Sequence, residues 1–101
     1  MSVTTEKQLD ITAAAVALRS YFEGINFIEG WLAPYQGWEA NGTAVVNAMA
    51  GVPAGTDVQP VAASALRQSI DETGNGGHVT DAEVAAGAAQ MVAAILKRRN
   101  P

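Results

Sequence analysis

The chain contains no cysteine. Disulfides, thiolate metal sites and cysteine nucleophiles are therefore excluded. It is also short of charge. Charged residues make up 16% of it, against roughly 25% in an average soluble domain. Small domains have much surface for their volume, so a lone monomer should want more charge, not less. The shortage predicts that another chain covers part of the surface. Long apolar runs are missing too. A membrane span needs about 18 apolar residues or more, and the best stretch, Val84 to Leu96, is too short and contains Gln90. No basic segment followed by an apolar one opens the sequence, so no signal peptide is expected. The expected location is the cytoplasm as site of synthesis, or a particle assembled from there.

Cations are few: six Lys and Arg against ten Asp and Glu, for a net charge of −4. Binding to phosphates needs clustered cations, so no nucleic-acid partner is expected. The single basic cluster is Lys97, Arg98 and Arg99. It falls at the end of an expected helix, where cations complement the negative end of the helix dipole.

What is abundant is alanine, with frequent glycine and only short β-branched runs. That composition favours helices over strands. A length of 101 residues fits one domain. The expectation is a single all-α domain over 1–101 with short flexible ends. It is a small bundle of four helices at about 5–32, 38–50, 58–72 and 81–99. The first is expected to be long and mostly buried. Thr5 and Gln8 resemble a capping box at its start, and Pro34 limits its end. Its apolar residues cover well over half the helix circumference, which predicts burial on several sides. Gly24 and Gly30 are places where it could kink.

The stretch GVPAGTD at 51–57 is turn chemistry, with Asp57 as the expected N-cap of the third helix and Pro60 in its first turn. The fourth helix opens on Thr80-Asp81-Ala82-Glu83, a capping box with acid in the first turn. Its small residues, Ala86, Gly87, Ala89, Ala93 and Ala94, allow close packing on a second side.

Between helices three and four lies DETGNGGHVTDAE, with the only histidine, His78. Gly74 suits the left-handed residue after a helix. The spacing matches neither GxxxxGK[ST] nor GxGxxG, and no strand precedes it. One histidine with scattered carboxylates makes a poor zinc site. No serine is set beside a base, so no catalytic residue, metal ligand or cofactor site is assigned. The stretch reads as a flexible hinge.

All six aromatics fall between residues 21 and 38: Tyr21, Phe22, Phe27, Trp31, Tyr35 and Trp38. As a group they read first as core. Phe27, Trp31, Tyr35 and Trp38 read also as an interface patch, because Tyr and Trp join a large apolar body to a polar tip. A ligand pocket lined by the same rings is the third reading.

These features lead to two functional expectations. The first is a non-enzymatic structural or assembly protein that forms homo-oligomers or packs on a larger protein assembly. Small cysteine-free chains rich in Ala, Gly, Thr and Val are common in phage and viral particles. By that compositional analogy a capsid, decoration or connector subunit of a virion is expected. The alternative is a small-molecule-binding helical module, or an all-α enzyme, using the aromatic segment 27–38 as a pocket.

Overall fold

A computed structural model of the chain describes residues 3–25 and 34–100, with side chains from Glu6 onward. It contains four α-helices, α1 (Val3–Ile25), α2 (Trp38–Ala50), α3 (Gln59–Glu72) and α4 (Asp81–Arg99). A single turn of 3-10 helix spans Gly76–His78. The other elements found among the described residues are turns and loops, with no strand. The expected extension of α1 over 26–32, its Gly30 kink, the Thr5 side chain and the extreme ends all lie outside the described residues. At Gly24 the helix is continuous.

Local chemistry accounts for the helix boundaries. Thr80 Oγ1 accepts the Glu83 backbone N–H at 3.1 Å, and the Glu83 carboxylate accepts the Thr80 N–H at 2.9 Å. That closed box satisfies two donors that helix geometry would otherwise leave open, a contribution of about 1 kcal/mol. Pro60 sits in the first turn of α3, where a missing N–H costs nothing. Asp57 corrects the expectation in part. Its Oδ1 accepts the Gln59 N–H at 3.1 Å, but the capping residue is Val58, already in helical conformation. Gly74 has φ +82 after the last turn of α3, a conformation that costs glycine nothing.

The helices form a closed ring of neighbours. α1 packs on α2 and α4, and α3 packs on the same two. Phe22, late in α1, meets Trp38 at the start of α2. Asn41, early in α2, reaches Ser69 late in α3. Arg98, late in α4, reaches Glu6 and Asp10 early in α1. These pairs fix an up-down-up-down bundle. Its core holds Leu18, Phe22, Val45, Leu66, Ile70, Met91 and Ile95, all fully buried. Each such side chain contributes about 1.5–3 kcal/mol by leaving water.

Two glycines set the helix spacing. A methyl group on Gly42 would come within 2.7 Å of the Ile11 carbonyl oxygen, so α2 lies against the backbone of α1. A methyl on Gly87 would meet Leu18 Cδ1 at 2.8 Å and Phe22 Cε1 at 3.3 Å. α4 thus packs closely at Gly87, but Ala89 and Ala93 are exposed, so its small residues do not give it a second buried side. In the described part of α1 burial is one-sided. Ile11, Ala14, Leu18 and Phe22 face the core, while Leu9, Val16 and Ile25 stay exposed. The broad apolar girth of this helix is therefore not fully used within the chain.

Candidate interaction surface

The aromatic residues expected at an interface separate on inspection. Phe27 and Trp31 lie outside the described residues. Tyr35 is only 7% exposed, and its hydroxyl donates to Asn41 Oδ1 at 2.6 Å. Burial pushes the Tyr35 hydroxyl above its ordinary pKa, against the opposing hydrogen bonds with Thr73 and Asn41. Gly37 makes room for this, since a side chain there would overlap the Tyr35 ring. Tyr35 is thus directed inward, toward Asn41. Trp38 is half-buried, edge-on to Tyr35 at 4.6 Å and to Phe22 at 5.9 Å. Such geometry suits the ring quadrupoles.

Beside Trp38 runs a hollow of 230 Å³ lined by Thr12, Ala15, Val16, Arg19 and Glu39. Ligand pockets typically measure about 300–1,000 Å³. This one is open and nearer the size of one inserted side chain.

Asn41 is fully buried and carries the polar chain onward, its Nδ2 donating to Ser69 Oγ at 2.8 Å. The direction of that bond matters. A nucleophilic serine needs a neighbour that accepts its proton, and Asn41 instead donates to it. The chain Tyr35–Asn41–Ser69 ties the start of α2 to the end of α3.

The loop before α4 is wired in place. Arg67 donates to the Gly76 carbonyl at 2.8 Å, to the Val79 carbonyl at 2.9 Å, to Asp71 at 2.9 Å and to Asp81 at 3.2 Å. Hydrogen bonding to Asp71 outweighs desolvation and raises the Arg67 pKa further. The flexible hinge expected there is corrected by one guanidinium that joins both its ends. His78 sits exposed on the 3-10 turn. Among the described residues no three His, Cys, Asp or Glu side chains gather as metal ligands would.

The basic cluster does more than complement a dipole. Arg98 and Arg99 both bond Asp10, at 2.7 Å each, and Arg98 also bonds Glu6 at 2.8 Å. Burial alone would raise the Asp10 pKa. The hydrogen bonds and charges of Arg99 and Arg98 outweigh it and hold the carboxyl below its ordinary value.

A further open surface lies between α2 and α3. Two adjoining hollows of 510 and 450 Å³ share Ala48, Ala65 and Gln68. Their floor is Ala40, Ala44 and Ala48 at four-residue spacing on α2, with Val61 and Ala65 on α3. Thr43, Asn47, Ser64, Gln68 and Ser69 add uncharged polar groups, and Glu72 is the one charged residue of the lining. From Ala40 to Leu66 the sequence holds one charged residue, Asp57, and no Lys or Arg lies between Arg19 and Arg67. The shortage of charge is thus marked on this side of the bundle, and residues 84–96 of α4 share it. Sequence reasoning noted the total and missed the place. Plotting charge along the chain would have found it.

No protein-family model matches the chain, and comparisons with curated proteins and with solved structures gave no match either.

Proposed function

We propose that the protein is a non-enzymatic assembly subunit that packs its α2–α3 face against the same face of another copy. The observation that supports this most is the groove floored by Ala40, Ala44, Ala48, Val61 and Ala65, with Glu72 as the one charged residue of its lining. Interface centres are depleted of charge, and small residues let two helices approach closely. Val16, 62% exposed beside the Trp38 hollow, is a second apolar surface available to a neighbour. A capsid, decoration or connector subunit of a viral particle is the setting we infer for such a chain, on composition alone.

The test is mass by size-exclusion chromatography with light scattering over a micromolar-to-millimolar series, for the native chain and for Ala44→Arg. The native chain is expected to exceed the monomer mass of 10.4 kDa. Ala44→Arg should keep its helical circular dichroism and lose this contact. A native chain monomeric throughout the series would end the proposal.

A further inference from the structure

The spare lysines of the bundle lie at one end and two spare glutamates at the other, with Asp57 an exposed carboxylate without an ion pair, among the described residues, at the lysine end. One end holds the start of α1, the end of α2 and the end of α4. There Arg98 and Arg99 are taken up by Glu6 and Asp10. Lys7 and Lys97 are exposed, with no carboxylate in ion-pairing distance among the described residues. The other end holds the start of α2, the end of α3 and the start of α4. There Arg67 engages Asp71 and Asp81, Arg19 engages Glu23, and Glu83 caps α4. Glu39 and Glu72 are exposed there, and no cation pairs with either among the described residues.

The whole-end balance says the same. Lys7, Lys97, Arg98 and Arg99 against Glu6, Asp10 and Asp57 leave +1 at the first end. Arg19 and Arg67 against Glu23, Glu39, Asp71, Glu72, Asp81 and Glu83 leave −4 at the second. With Glu29, outside the described residues, these account for the net charge of −4.

We infer that copies of this chain also associate head to tail, the Lys7–Lys97 end of one meeting the Glu39–Glu72 end of the next. Two spare cations face two spare carboxylates, and like ends repel. Charge complementarity of this kind selects orientation and partner. Lys7 and Lys97 lie on the neighbouring helices α1 and α4, whereas Glu39 and Glu72 lie on α2 and α3, across the bundle. Matching them turns each copy by about half a turn about the long axis, which measures 39 Å. Such a contact uses different surfaces on its two sides and generates an open stack. The inference rests on the assembly reading; because Glu72 also lines the α2–α3 groove, the Lys7 and Lys97 reversal is the arm that separates the two contacts.

The experiment is the same mass measurement at two ionic strengths. Near 10 mM salt, where charges interact over about 30 Å, the average mass should climb with concentration without levelling off. Near 1 M, where the range is about 3 Å, it should fall to the limit set by the α2–α3 contact. Lys7→Glu with Lys97→Glu should show the high-salt mass even at low salt, and so should Glu39→Lys with Glu72→Lys. Mixing these two variants should restore the climb, because each supplies the end the other now matches. Circular dichroism checks that both variants fold. A mass unchanged by salt and by both reversals would overturn the head-to-tail contact and leave the assembly reading standing. So would a mixture that fails to restore it. A native chain monomeric under every condition would overturn both.

Discussion

Two seams of the same bundle are held by different chemistry. At one end of the α1–α4 seam Asp10 grips Arg98 and Arg99, with Glu6 beside it. The α2–α3 seam holds a neutral chain, Tyr35 to Asn41 to Ser69, and alanines. Ion pairs at a surface lose little when water surrounds them, and they repel apolar company. Neutral hydrogen bonds and methyl groups can be covered by another protein without stranding a charge. The contrast therefore separates a side fitted to water from a side that tolerates losing it.

The largest test of this contrast is Asp10→Ala. Asp10 is 4% exposed and holds two guanidinium groups, which would be left without their shared acceptor. Breaking a buried ion pair costs about 3–5 kcal/mol. Partial exposure of both arginines lets water replace some of that, so about 2–3 kcal/mol is expected in a urea unfolding curve. The pH dependence has a definite sign. The Asp10 carboxyl is held below its ordinary value in the folded chain. Its contribution is therefore present above the unfolded value, near 3.9, and is lost as pH falls through the lower folded one. Asp10→Ala should flatten that acid limb. An acid limb as steep as in the native chain would assign the loss to other carboxylates.

These two seams were not equally legible in the sequence. The two ends of α3 and the start of α4 could be read closely because Pro60, Gly74 and the Thr80–Glu83 box act within a few residues. Asp10 could not be read, since its partners lie nearly the whole chain away and nothing local distinguishes it from a solvated acid. Tyr35 misled for the reverse reason. Its position between Pro34 and Gly37 suggests an exposed corner, and only the distant pairing of α2 with α3 turns it inward. Arg67 was visible as a cation within a helix, but its four acceptors come from three segments. The low charge of residues 40–66 needed no structure at all, only attention to where the missing charges were missing.

Asn41→Ala tests the neutral seam. It removes the acceptor of Tyr35 and the donor to Ser69 in a fully buried place. The Tyr35 hydroxyl keeps its hydrogen bond with Thr73, so of the about 1–3 kcal/mol that a lost buried partner costs a loss of about 1–2 kcal/mol is expected, smaller than for Asp10. It should be independent of salt, whereas the loss in Asp10→Ala should shrink in salt. Equal salt response in the two variants would mean that the seams do not differ in kind.

The finest comparison is between Gly42 and Gly87. Alanine in place of glycine favours a helix by roughly 1 kcal/mol at either position. At Gly42 the new methyl meets the Ile11 carbonyl oxygen at 2.7 Å, and a backbone atom inside a packed helix cannot yield alone. Overpacking of that kind costs about 1–3 kcal/mol, so Gly42→Ala should come out destabilised by about 1 kcal/mol. At Gly87 the methyl meets side-chain atoms, Leu18 Cδ1 at 2.8 Å and Phe22 Cε1 at 3.3 Å. The end of a leucine can turn aside, and the helix gain offsets what remains, so Gly87→Ala should lie within about 0.5 kcal/mol of the native chain. The difference between the two variants matters more than either value. If Gly87→Ala proved the costlier, α4 and not α2 would be the helix seated most rigidly against α1.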